Sequence, residues 1–319
     1  MTAMRDYTLL AEELGYQNVW FGDSQNIWRE ASITMGAAAT GTSRVILGAG
    51  VTNPVTRHLS VLASTWATLA EYTGGRAALG IGTGDSSLRT MGLKPVKLAE
   101  LEDAVATLRQ LFNATSAAET SSGANYRLNY LERPVGIPIY IAASAPRILH
   151  LAGRIADGVI LLVGTAREFI EAALTTIEKG ARSAGRTLAD LHIVLWTPTA
   201  IDADPIAARN LTRSHVARVA IRPLPVGIAP DLSRAIDRIR NEYDYYEHMS
   251  TSARHAELIP DELVDLFALA GTPDQCAARI AEISRLGVDQ IATVPYARPS
   301  ESRERTMRAF AEIFDGAVK

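Results

Sequence analysis

Two hydrophobic rhythms alternate along the chain. Short apolar runs rich in Val, Ile and Leu are separated by longer stretches whose apolar positions recur every three or four residues. The first rhythm belongs to strands buried on both faces, and the second to amphipathic helices. Tyr7, Leu10, Ala11 and Leu14 share one helical face, and Gly15 ends that helix. Strands are then expected at 18–21, 45–50, 77–81, 139–143, 158–163, 191–199 and 290–294. Helices are expected at 33–40, 57–72, 98–111, 145–154, 166–183, 273–286 and 302–314, with Gly74 and Gly75 stopping the second of them.

Strands alternating with helices predict an α/β fold with a parallel sheet. A closed (β/α)8 barrel needs eight strands, and seven can be counted. The absent one belongs before the Tyr7 helix, where only six residues stand. The reading adopted is a single barrel domain over 1–319 that starts downstream of its natural start and so lacks its first strand. Between 199 and 270 the rhythm fails. Helices are expected at 204–220 and 231–248, joined by the proline-rich segment 222–225. They make up an insertion at about 200–260, after barrel strand 7, where lids and partner surfaces are commonly built. The Ala-, Ser- and Thr-rich stretch 113–125 reads as a surface loop.

Composition narrows the function classes. The chain has 319 residues, 47% of them hydrophobic, and a net charge of -3. With a pI near 6.1 and no Lys/Arg run, it lacks the electrostatic footprint of a nucleic-acid binder. The single cysteine, Cys276, rules out an internal disulfide framework and a cysteine-rich zinc site. In its helical setting it reads as an inert, packed thiol. His150, His192, His215 and His255 show no metal-ligand spacing, so no metal site is expected. No run is long enough for a bilayer-spanning helix, and no signal peptide is visible. A cytoplasmic enzyme with no membrane partner is the expectation.

The usual nucleotide, zinc-protease and hydrolase fingerprints are absent: Gly80, Gly82 and Gly84 alternate instead of forming G-x-G-x-x-G. What remains is a set of strand ends, the place where α/β folds put their chemistry. These are Asp23-Ser24, then Gly50, Val51, Thr52 and Asn53, then Thr83, Gly84 and Asp85. Ser144, Ala145 and Arg147 follow, and Val163 with Gly164. Small residues let a flat ring approach the backbone. Amides and hydroxyls bond its polar edge. Ser144 precedes a helix whose first N–H groups suit a phosphate. The set favours a phosphate-bearing flavin-type cofactor over a sugar or a metal.

The segments LAEELGYQNVWFGDS, GAGVTNPVTRH, TGGRAALGIGTGDS, AASAPRILHLAGRIADGVILLVG and PDELVDLFALAGTP resemble the luciferase-like superfamily over nearly the whole chain. Within it the chain is similar to the deazaflavin-dependent branch typified by methylenetetrahydromethanopterin reductase. The resemblance implies a TIM barrel without its first strand here, a cofactor at the C-terminal face, and a non-proline cis peptide at Gly50–Val51. It implies an oxidoreductase that transfers hydride between coenzyme F420, a deazaflavin, or FMN and a small organic substrate. The alternatives are an FMN-dependent monooxygenase using reduced flavin and O2, and a non-catalytic flavin-binding member. The family habit is a homodimer or homotetramer.

Each candidate also has a purely structural reading. Asp23 either steers a proton or bonds the ring edge, or else caps the next helix. Ser24 stands where several deazaflavin enzymes carry a histidine acting as acid or base, so that donor is missing here. Trp28 lies near the reactive centre and the substrate, or packs in the core. Thr52 and Asn53 neighbour the cofactor, or serve an Asn-Pro turn. His58 starts a helix and bonds locally, or takes part in catalysis. Asp85 contacts substrate or the cofactor tail, or caps a helix with Ser86. Ser144, Ala145 and Arg147 anchor a phosphate, unless Arg147 is a solvated surface residue. Tyr243 and Tyr246 line a substrate pocket, or pack with Tyr245 and His248 between helices or subunits.

Overall fold

The computed structural model describes residues 2–118, 125–247 and 249–317. In chain order, α1 (Thr2–Glu13) leads to β1 (Asn18–Phe21), α2 (Ala31–Ala39), β2 (Ile46–Ala49), α3 (Leu59–Thr73) and β3 (Ala77–Ile81). The single turn α4 (Ser86–Arg89), α5 (Leu98–Phe112) and the short strands β4 (Ala117–Ala118) and β5 (Asn125–Tyr126) follow. Next come β6 (Ile139–Ala143), α6 (Pro146–Ile155), β7 (Gly158–Leu161), α7 (Arg167–Ser183) and β8 (His192–Ile201). The chain continues through α8 (Pro205–Ala220), α9 (Pro230–Glu242), α10 (Asp261–Phe267), β9 (Leu269–Gly271), α11 (Pro273–Ile283), β10 (Gln290–Pro295) and α12 (Glu304–Ala317). The main sheet runs β1-β2-β3-β6-β7-β8-β10, and β9 pairs with β8. All seven expected strands are present in chain order, as a β/α alternation requires, and no strand precedes β1 among the described residues.

Several boundaries differ from the sequence reading. Residues 2–6 are already helical. α3 begins at Leu59 with His58 as its N-cap, not at Arg57. α9 ends at Glu242 rather than near 248, and His248 lies outside the described residues, as does 119–124 of the expected surface loop. α4, α10, β9 and the antiparallel β4–β5 pair were not expected. Each spans too few residues for a hydrophobic period to show.

Contacts divide the chain into two compact units. The first is Met1–Ala142 with Ile155–Gly158, and the second is Ala143–Arg154 with Val159–Lys319. In the first, β1, β2 and β3 pair in parallel, with Trp20 opposite Gly48 and Gly48 opposite Ala78. The Trp20 ring lies against Gly48, where a Cβ would come within 2.7 Å of it, and meets Tyr140 edge-on at 5.2 Å. Trp66 is 1% exposed and donates its indole N–H to the Ala78 carbonyl at 2.8 Å, pinning α3 to β3. Arg76 donates to the carbonyls of Val45 and Thr42 at 2.7 and 2.8 Å, which closes the turn before β2.

In the second unit, α6 and α7 touch backbone to backbone. A Cβ on Gly180 would lie 2.0 Å from the His150 carbonyl oxygen, and one on Gly153 would lie 2.1 Å from that of Ile177. Thr272 and Gln275 form a capping box, with Pro273 in the first turn of α11. Asp202, just after β8, takes both prongs of Arg298 at 2.8 and 2.9 Å. The insertion holds α8 and α9 as expected. Its return leg adds α10 and β9, and β9 extends the sheet by pairing Thr199–Ile201 with Leu269–Gly271.

Candidate functional site

In the first unit the strand ends carry a buried charge cluster. Asp23 follows β1 by two residues, and its side chain is 3% exposed. Its carboxylate accepts the Thr52 hydroxyl at 2.7 Å and two Arg57 N–H groups, Nε at 3.3 Å and Nη2 at 2.9 Å. Arg57 also reaches Glu30 at 2.5 Å. Glu30, not Asp23, caps α2, accepting the Ile33 N–H at 2.7 Å. Burial works against charge on Arg57, but the two carboxylates more than offset it and raise its pKa. Burial likewise opposes ionisation of Glu30, but the Ile33 N–H, the Ser32 hydroxyl and Arg57 lower its pKa.

Arg57 was missed as a site residue because the sequence reading put it inside helix α3. With His58 as the N-cap, Arg57 falls in the preceding loop and turns back toward Asp23. The signal was present in the TNPVTRH segment. A capping histidine one position later marks a different boundary. His58 caps α3, its Nδ1 accepting the Ser60 N–H at 3.3 Å, and its Nε2 makes a long-range contact to the Tyr126 hydroxyl at 3.0 Å.

The Gly50–Val51 peptide is cis, as the resemblance implied. Thr52 follows directly and bridges to Ile81 of β3, which brings the ends of β2 and β3 together. Asn53 is 1% exposed. Its carbonyl oxygen accepts the Val55 and Thr56 N–H groups at 3.0 and 2.9 Å, and its amide donates to Ser87 at 3.1 Å. Its oxygen therefore serves the turn. Ser24 meets Ser86 hydroxyl to hydroxyl at 2.9 Å, so α4 docks on the loop after β1. Trp28 lies against Gly22, where a Cβ would fall 2.9 Å from its ring. Gly84 has φ +88, and a Cβ there would strike Leu88. Asp85 precedes α4 without a side-chain cap bond and pairs with Arg89 at 3.3 Å. The Thr83 carbonyl accepts the Val96 N–H at 2.9 Å. Asp23, Thr52, Asn53, Ser24 and the 83–87 turn are thus linked within this unit.

In the second unit, Ser144 is 6% exposed, and Ala145 stands just before α6. Leu149 makes the first helical bond back to Ala145, so the Arg147 N–H lies in the open first turn. Arg147 itself is exposed. Val163 is buried. Gly164 has φ +86, and a Cβ there would come 2.5 Å from Phe267 and 2.7 Å from the Leu266 carbonyl, so this glycine has a packing role. Tyr243 stacks on His255 at 4.4 Å and meets Tyr245 edge-on, while Tyr246 is 65% exposed. Tyr243 thus packs among aromatic neighbours, and Tyr246 lies at the surface. Burial pushes the Tyr243 hydroxyl up and pushes Arg218 down to about 9. Among the described residues no group of three or more His, Cys, Asp or Glu is placed to hold a metal ion. No helix among them is long and apolar enough to cross a membrane.

The model of the luciferase-like monooxygenase family matches residues 1–290. A 5,10-methylenetetrahydromethanopterin reductase from Methanolobus tindarius is 32% identical over 293 residues, 89% of this chain and 87% of that protein. An F420-dependent glucose-6-phosphate dehydrogenase from Beutenbergia cavernae is 33% identical over 256 residues, 74% of this chain and 76% of its own. The solved structure of coenzyme F420 dependent tetrahydromethanopterin reductase from Methanopyrus kandleri superposes with a TM-score of 0.82 at 26% identity, covering 100% of this chain and 96% of that one. The expected fold class is borne out, and this chain belongs to the luciferase-like monooxygenase family.

Proposed function

We propose that this chain is an oxidoreductase that binds coenzyme F420 and moves hydride between it and a small organic substrate. The observation that carries the reading is the two enzyme groups among its 32–33% identical relatives, a methylenetetrahydromethanopterin reductase and an F420-dependent dehydrogenase. The first unit's strand ends support it. The Asp23 carboxylate is an acceptor at the edge of the site, suited to the N–H of a flavin-type ring's pyrimidine edge. Gly50, Val51 and Thr52 present backbone and small side chains to such a ring. Ser24 and Ser86 offer hydroxyls, and Trp28 an apolar wall. In the second unit, Ser144 and the open first turn of α6 suit a phosphate. When bound, the deazaflavin supplies the two-electron hydride chemistry. The protein supplies binding, orientation and a proton path. We take the enzyme to act in the cytoplasm, which its single buried thiol suits. We take it to be a homodimer or homotetramer, supported by Ile33 and Val61, which are 61% and 51% exposed on α2 and α3.

Fluorescence titration of the purified protein with F420 and with FMN tests the reading. The expected result is saturable binding of F420, at least about tenfold tighter than FMN, a difference of about 1.4 kcal/mol. FMN binding with oxygen-dependent turnover would favour the monooxygenase reading, which the family model's description motivates. Binding without turnover on any carbonyl, imine or oxygen acceptor would favour a flavin-binding protein.

A further inference from the structure

We propose that Arg57 is a positioning residue that acts through Asp23, fixing the Asp23 carboxylate as a hydrogen-bond acceptor at the ring edge. The inference rests on the cofactor reading above. A carboxylate has about four acceptor sites on its two oxygens. On Asp23, Oδ2 receives the Thr52 hydroxyl and Arg57 Nε, while Oδ1 receives Arg57 Nη2. Three donors on a side chain that is 3% exposed hold the group in one orientation, with open acceptor capacity on Oδ1.

The same contacts restrict its chemistry. Both Arg57 bonds are charge-assisted and two-pronged, a geometry that fixes the plane of the carboxylate. Both acceptor sites of Oδ2 are taken by the Thr52 hydroxyl and Arg57 Nε, so the open site on Oδ1 is the one left for a ring N–H. The same Arg57 Nη2 also meets Glu30 at 2.5 Å, and Glu30 is tied to the start of α2 through Ile33. The chain of contacts Ile33–Glu30–Arg57–Asp23–Thr52 thus connects a helix terminus to the residue after the cis peptide.

A double-mutant cycle on cofactor binding separates this role from simple scaffolding. F420 dissociation constants would be measured for wild type, Arg57→Met, Asp23→Asn and the double variant. The expected result is that Arg57→Met weakens binding about tenfold in the Asp23 protein and less than about twofold in the Asp23→Asn background. Equal losses in both backgrounds, or no loss in the first, would overturn the proposal. If Arg57→Met fails to fold, Arg57→Lys replaces it in the same cycle, because it keeps the charge and loses the fork. A second readout needs no cofactor. The Arg57 Nε–H resonance of the unliganded protein should exchange slowly with solvent, and rapidly after Asp23→Asn. Fast exchange in wild type, or no change on substitution, would refute the anchoring even if the protein binds F420. Failure of wild type to bind either flavin, with the anchoring intact, would refute the cofactor reading instead.

Discussion

The Glu12 carboxylate organises the approach to β2 from the end of α1. It accepts the backbone N–H groups of Ser43, Arg44 and Val45 at 2.7–3.1 Å. Burial opposes its ionisation, but those N–H groups and the Arg44 charge bring its pKa down from 4.5 to about 2. A depressed carboxylate pKa stabilises the fold at pH above its unfolded value, and that contribution is lost as pH falls from 4.5 toward 2. Glu12→Gln should cost about 1–2 kcal/mol at neutral pH, discounted for exposure, and the loss should vanish near pH 2. Urea unfolding of both proteins across that range measures it. Cys276 is the opposite case. It is 1% exposed, and burial pushes its thiol up to about 12. It should label with a thiol reagent only after denaturation, and labelling of the native protein would contradict this.

At the scale of elements, the α6–α7 contact is the sharpest constraint. Gly153 and Gly180 let the two helices approach until backbone meets backbone, with no room for a methyl group at either position. Glycine inside a helix ordinarily costs roughly 1 kcal/mol relative to alanine, so helix propensity alone favours Gly180→Ala. The clash with the His150 carbonyl reverses that preference. Backbone cannot yield as a side chain can, so Gly180→Ala should destabilise the protein by about 2–3 kcal/mol. A thermal unfolding midpoint equal to or above that of wild type would show that the helices can separate freely. The helix starts illustrate what a sequence reveals. Pro273 after Thr272, with Gln275 two residues beyond, is a local signal, and α11 begins where it points. The start of α3 was misplaced by two residues because His58, an uncommon cap, carries the role usually taken by Ser, Thr, Asp or Asn. That small error hid Arg57, and with it the ion-pair partner of Asp23.

For the whole molecule, acid stability should be governed first by buried histidines. His215 is 4% exposed, and burial followed by the Arg222 charge lowers its pKa from 6.5 to about 3. Burial also lowers that of His255. In both cases the unfolded chain binds the proton first, so stability falls as pH drops below 6.5, by at most about 1.4 kcal/mol per pH unit for each group. The His215 share continues to about pH 3, where the folded form also protonates. His215→Gln should flatten the stability profile between pH 6.5 and 4.5, above the window in which Glu12 acts. An unchanged slope would remove His215 as the cause. Ligand linkage offers a second measurement. F420 at about a hundredfold excess over its dissociation constant should stabilise the protein by about 2.7 kcal/mol, seen as a higher unfolding midpoint that FMN at the same concentration does not match.

The amino-acid sequence by itself determined the β/α alternation, the seven strands, the insertion after β8 and the family. Hydrophobic periods and caps are local properties, and those segments are long enough to display them. Through its resemblance it also located the cis peptide at Gly50–Val51. It named Asp23, Thr52 and Asn53 as candidates but left their roles open. Tertiary structure decided their partners, because each depends on what lies opposite in space. Arg57 is 34 residues from Asp23 in sequence and 2.9 Å away in the fold. Ser86 is 62 residues from Ser24 and in hydroxyl contact with it. The Asn53 oxygen is taken by its own turn, and Tyr243 by His255. A residue type says which bonds a side chain can form, but only packing says which partners are within reach.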